Sequence, residues 1–276
     1  MARNAKNKRR GNRRGESALG KVGAVIVGLF VIVIIGGMFY MNLSKEKVIL
    51  DSNSLCQIGK KPSDVIAILI DATESLPERA ARQAVIKIEN ILSSAPENSL
   101  INLYAIKSGN ESHIEPITHI CKPQNGVNMS NLTGNKRFAK DQYEQSFSKP
   151  LKAHINNLIV ARSSASSPLV ESMQSAIIES FTANPNTGLD RLIIVSDMIQ
   201  NTSMYSFYRE KPSYKNFDEM SNRSGKGMLR LEGITVDMLV VARDFNTGNR
   251  EDVVSFWSSF LQERGASSGS SMEPLL

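Results

Sequence analysis

The sequence predicts an α/β domain, a doubly wound and mostly parallel sheet flanked by helices, preceded by one transmembrane helix. Three observations carry this. Two apolar, β-branched runs, Asp64–Ile70 and Arg191–Ser196, have the length and composition of strands buried on both faces, and each runs straight into an acid, Asp71 or Asp197. Between and after them lie stretches with the spacing of helices packed on a sheet, and strands alternating with helices mean a doubly wound sheet. Near the N-terminus stands a run of twenty residues without a charge.

That run, Val22–Met41, is about as long as a helix needs to be to cross a bilayer, and Phe39 and Tyr40 close it where aromatic residues favour the interface. A cleaved signal peptide would have a shorter apolar stretch and a small-residue cleavage site, and Met-Phe-Tyr-Met-Asn-Leu offers none. Residues 1–21 hold eight Lys and Arg against the single acid Glu16, while only Lys45 and Lys47 follow the span closely. Positive charge before the span places the N-terminus in the cytoplasm and the large domain outside it, periplasmic if the membrane is a bacterial inner membrane. The tail's net +7 exceeds the whole chain's +6, so the remainder carries about −1 and no nucleic-acid-binding patch is expected there. Cys56 and Cys121 both fall on the exported side, where one disulfide or two buried thiols are compatible with the count.

Residues 42–61 read as a polar linker, and the first strand ends at Ile70. Glu78–Leu92 carries apolar residues at 81, 84/85, 88 and 91/92, one helix face. Leu100–Ile106 reads as a second strand and Ile114–Cys121 as a short third, antiparallel at an edge. Residues 122–135 suggest a loop, and Lys136–Ala161 a helix interrupted at Pro150. Ser167 and Pro168 read as the cap and first position of a helix that buries Leu169, Val170, Met173, Ala176, Ile177 and Phe181. Gly233–Val241 is a further strand, Asp252–Glu263 a last amphipathic helix, and the Ser- and Gly-rich residues 266–276 are expected to be disordered.

Ligands of parallel sheets bind outside the carboxyl ends of the strands. There the chain places Asp71-Ala72-Thr73-Glu74-Ser75, whose alternate positions 71, 73 and 75 offer one carboxylate and two hydroxyls. Such hard oxygen donors, with no thiolate or imidazole close by, suit a small cation such as Mg²⁺. The same hydroxyls could instead cap the next helix, and Asp197 could satisfy loop amides.

From Asp71-x-Thr73-x-Ser75 after the first strand, Ser167 in a second loop and Asp197 after a later strand, residues 62–265 resemble the von Willebrand factor A domain. That family has an Asp-x-Ser-x-Ser motif, a Thr and an Asp at these places; here Thr stands at 73 and Ser at 167, each keeping a hydroxyl. The resemblance implies a vWA or Rossmann-like fold and a metal-ion-dependent adhesion site formed by Asp71, Thr73, Ser75, Ser167 and Asp197. It implies Mg²⁺ or Mn²⁺ as the ion, and a protein partner whose acidic residue completes the metal shell. It also brings the end of the third strand towards the start of the first, which would let Cys121 reach Cys56 if the linker folds back. Asp71 lies in a loop on this reading, so Asp71→Ala is expected to leave a folded domain.

Other readings compete. The loop after Ile70 also resembles the nucleophile loop of haloacid-dehalogenase-type phosphatases, with Asp71 attacking phosphorus and Ser196 imitating a second motif. Their late acid pair is missing, since only Asp237 and Asp244 occur there. No paired nucleophile and base stand out, so no catalysis is expected, and a metal-free scaffold is the remaining alternative. His113, His119 and Cys121 match no zinc spacing. Tyr205, Phe207, Tyr208 and Tyr214, in the run from Met204 to Phe217, are either partner anchors near the metal face or the packing of a long loop on its own domain.

Overall fold

The computed structural model describes residues 18–43, 48–73, 75–107, 114–127, 129, 135–159, 166–224, 229–243 and 249–276. The basic tail through residue 17, Glu74, His113, residues 160–165 and Asp244 lie outside them.

Helix α1 covers Ala18–Leu43 and belongs to one compact unit of the chain; residues 49–276 form the other. Among the described residues no helix is long and apolar enough to cross a membrane.

The second unit is built on six strands: β1 (Val65–Asp71), β2 (Leu100–Ile106), β3 (Thr118–Cys121), β4 (Asp190–Ser196), β5 (Ile234–Val241) and β6 (Ser271–Leu275). They lie in the order β3-β2-β1-β4-β5-β6, with β3 antiparallel to β2 and every other pair parallel. Among the described residues, six further α-helices belong to it: α2 (Glu78–Ser94), α3 (Lys136–Tyr143), α4 (Lys149–Ile159), α5 (Leu169–Ile177), α6 (Tyr214–Arg223) and α7 (Arg250–Glu263).

Every residue of β1 and β2 is buried, which is why their sequences show no polar alternation. Period two still sorts them. Val65, Ala67 and Leu69 face a core with residues of α5 and α7, while Ile66, Ile68 and Ile70 face one with α2 and α4. The sheet is therefore a middle layer with a core on each side. At the far end of α2, Lys122 is 3 % exposed because its Nζ donates to the carbonyls of Ser93 and Ala95, at 2.7 and 2.6 Å. Those are orphan acceptors at a helix C-terminus, so the buried charge is both hydrogen-bonded and aligned with the helix dipole.

Several expectations need correction. Residues 271–275 are a strand, not a disordered tail: Leu275 is buried, Glu273 pairs with Lys87, and Pro274 is tolerated because β6 is an edge strand. The linker's second half folds onto the domain, since Leu50 bridges Gln57 and the Cys121 N–H donates to the Ser54 carbonyl. Pro150 does not interrupt its helix. A π-helical stretch at Glu144–Ser148 absorbs the change in register before it, and α4 continues to Ile159. Only Thr118–Cys121 of the third predicted strand is extended. Residues 214–223, half read as aromatic loop, form α6, capped by the Ser213 side chain and burying Phe217.

Cys56 and Cys121 form a disulfide closing a 65-residue separation. Zinc is thereby excluded for Cys121, and the Nδ1 of His119 is within hydrogen-bond distance of Asn102 Oδ1, at 2.8 Å.

Candidate metal-ion site at the strand ends

Asp71 closes β1, Ser196 closes β4, and Asp197 and Arg243 follow β4 and β5, so all four lie at the carboxyl ends of neighbouring strands. The side chain of Asp71 is the hub. Its Oδ1 accepts from the Thr73 backbone N–H at 3.0 Å and from Thr73 Oγ1 at 2.6 Å. Its Oδ2 accepts from Ser167 Oγ at 3.0 Å and from Ser196 Oγ at 2.9 Å. Four donors from two loops and the last residue of β4 converge on one carboxylate that is 5 % exposed. A charge taken so far from water needs such partners.

Ser167 is held there by backbone. Its N–H and carbonyl exchange hydrogen bonds with Asn201, both 2.9 Å, tying the loop before α5 to the one after β4. Its hydroxyl is thus committed to Asp71 and does not cap α5, as the sequence suggested; the side chain of Gln200 accepts from the Val170 N–H instead. Nor do Thr73 or Ser75 cap α2, whose N-cap position is Pro77.

Asp197 begins a tight turn. Its Oδ1 accepts from the Ile199 N–H at 2.9 Å, and Met198 between them has φ +65°, an uncommon conformation for a residue with a side chain. Trp257 Nε1 donates to the Met198 carbonyl at 2.7 Å, so α7 fixes this strained turn from below. Burial pushes the Asp197 carboxyl up to about 7, the Asp71 charge adds to this, and the Ile199 and Ser196 hydrogen bonds oppose it. The Arg243 guanidinium, 3.6 Å from Asp197, is too distant for a hydrogen bond and offsets little of that cost.

The five residues expected to bind metal are thus only partly united. Asp71, Thr73 and Ser167 form one hydrogen-bonded cluster, with Asp197 beside it. Ser75 is exposed, and its carbonyl accepts from Arg243. Ser196 is the member that the motif reading omitted; its signal was a hydroxyl directly before the acid that ends a buried strand. Among the described residues no group of three or more His, Cys, Asp and Glu gathers anywhere, so any ion here would rely on hydroxyls as much as on acids. The donor set fits a hard divalent ion. Each hydroxyl gives its hydrogen to Asp71 and keeps lone pairs for a cation, and the two carboxylates repel one another until one arrives.

Tyr205 and Phe207, expected as partner anchors, are wholly buried and pack edge-on against Phe217 and Phe256. Tyr214 is half-buried on Phe256 and Phe260 and under Arg264. These three build the core between α6 and α7, which corrects the reading of them as contacts. Tyr208 is 42 % exposed, and its hydroxyl is pushed up by burial and by the charges of Asp197 and Asp71. It alone of the four stands at the rim of the acid site.

No family model matches the chain, and no characterised protein matches it in sequence. Solved structures do show likeness. The VWA domain of SpRpn10 is 11 % identical over 78 % of this chain and 89 % of that one, with TM-score 0.36. The manganese-loaded TRAP protein of Plasmodium vivax is 13 % identical over 78 % and 69 %, with TM-score 0.35. Proximal thread matrix protein 1 from the mussel byssus, with a zinc-occupied MIDAS motif, is 8 % identical over 78 % and 44 %, with TM-score 0.36. At these scores the likeness carries no argument by itself, and the α/β fold rests on the strand order, polarity and two-sided core of this chain.

Proposed function

We propose that this chain is a single-pass membrane protein whose α/β domain, outside the cytosol, binds a protein partner through a divalent cation held at the β1, β4 and α5 loops. One observation carries the reading: hydroxyls from two separate loops and the end of β4 converge on the buried Asp71 carboxylate beside a second acid. Thr73, Ser167 and Asp197 would hold the ion, with Asp71 orienting the hydroxyls. Bound there, Mg²⁺ or Mn²⁺ supplies an open position for an acidic side chain of the partner. Tyr208 at the rim offers that partner an aromatic contact.

The anchor is supported by the uncharged run Val22–Met41 and by the helix that contains it, whose apolar side chains, among them Ile26, Phe30 and Val33, are exposed. Binding is favoured over phosphoryl transfer because each Asp71 oxygen already accepts two hydrogen bonds, leaving it poorly disposed to attack phosphorus.

The full chain in mild detergent tests this through its single tryptophan, Trp257, whose indole N–H donates to the carbonyl of Met198, the residue after Asp197. Mn²⁺ or Mg²⁺ should raise the unfolding temperature, a chelator should reverse the gain, and Asp197→Asn should abolish it. No response to either ion would leave a metal-free scaffold.

A further inference from the structure

Arg243 lies two residues beyond β5 and touches two of the three site loops. Its Nη2 donates to the Ser75 carbonyl at 2.5 Å, and its Nε stands 3.6 Å from Asp197 Oδ2. The Arg243 side chain is 28 % exposed and that of Asp197 10 %. A permanent cation therefore leans over the acid that a divalent ion would use, donating to the Ser75 carbonyl and standing loosely by Asp197. It also clamps the backbone of Ser75, the one expected ligand that the structure leaves outside the cluster.

We propose that Arg243 is a built-in cation that occupies the electrostatic place of the metal and is exchanged for it. This rests on the metal reading above. Metal-free, the guanidinium stands beside Asp197 and ties the loop after β1 to the loop after β4. A divalent ion bound to Asp197 would repel it across a short distance in a poorly solvated site. With its long, partly exposed side chain, Arg243 swings outward. That movement releases the Ser75 carbonyl, so the loop can turn the Ser75 hydroxyl towards the ion. Loading the metal and reshaping the partner-facing loop are then one event, and the site's affinity is set below what its oxygens alone would give.

The test is Mn²⁺ titration of the full chain in detergent, read by the electron paramagnetic resonance of free Mn²⁺, for the native protein, Arg243→Gln and Arg243→Lys. Melting without metal is measured in parallel. Arg243→Gln should bind Mn²⁺ roughly tenfold more tightly and melt lower without metal, with Arg243→Lys in between. A purely structural Arg243 would lower the melting temperature and leave Mn²⁺ affinity unmoved, which would overturn the proposal while the native protein's binding kept the metal reading intact. Weaker binding by Arg243→Gln would overturn it too, as evidence that the side chain helps to hold the loaded site. Binding by Arg243→Gln where the native protein shows none would support it in its strongest form. Silence from all three proteins would overturn it together with the metal reading.

Discussion

Removing the Asp71 carboxylate should cost the metal-free domain much of its stability, against the expectation that a loop acid is dispensable. The residue is the last of β1, it is almost fully buried, and it accepts hydrogen bonds from Thr73 N–H, Thr73 Oγ1, Ser167 Oγ and Ser196 Oγ. A hydrogen bond to a charged group contributes about 1.5–3 kcal/mol. The four do not simply add, because the freed hydroxyls can turn to water entering the space and because Asp197 loses a repelling neighbour. The net loss for Asp71→Ala should be about 3 kcal/mol. Asp71→Asn should cost only about 1 kcal/mol, since its amide oxygen can keep Thr73 while Ser167 and Ser196, as hydroxyls, can accept from its amino group. Urea unfolding of the full chain in mild detergent with chelator, followed by Trp257 emission, measures both. Asp71→Ala within about 0.5 kcal/mol of the native protein would refute the claim that this carboxylate ties the two loops to the end of β4.

Burial holds the Asp197 carboxyl up to about 7 in the folded domain, against about 3.9 for an ordinary aspartate. The folded state therefore holds a proton that the unfolded chain gives up, and metal-free stability should fall as pH rises from about 4 to 7 and level off above; Asp197→Asn should flatten that slope, and its persistence there would contradict the assignment. Replacing Cys56 and Cys121 by Ser should cost about 4 kcal/mol by the chain-entropy relation for a loop of this length, read as a lower urea midpoint that reductant no longer changes. If the basic tail is cytoplasmic, protease added outside spheroplasts should digest residues 49–276; their protection would reverse the orientation.

The central strands were legible because burial on both faces leaves runs such as Val65–Ile70 and Leu192–Val195 without polar interruption. β6 was not. Ser-Met-Glu-Pro-Leu has too few apolar residues to announce a strand, and it is held by one neighbour, one buried leucine and the pairing of Glu273 with Lys87. The aromatic run misled for a related reason. Tyr205, Phe207 and Phe217 share no single period, and only Phe256, Trp257 and Phe260 of α7 reveal what they pack against. At the site, Asp71 and Asp197 were readable from their places after buried strands. Ser167, named as a site residue, does reach Asp71, but it was read wrongly as a helix cap, since nothing local says that Gln200 would take that task. Arg243 left no trace in any motif; only the neighbouring carboxyl ends of β1, β4 and β5 bring it to Asp197 and Ser75.

Anomalous scattering at the manganese edge from crystals soaked in Mn²⁺ tests the oxygen site most directly. One peak among Thr73, Ser167 and Asp197, lost in Asp197→Asn crystals soaked the same way, is the predicted result. Ordered loops with no peak there, at manganese concentrations well above those that stabilise the protein in solution, would contradict a metal site at these strand ends.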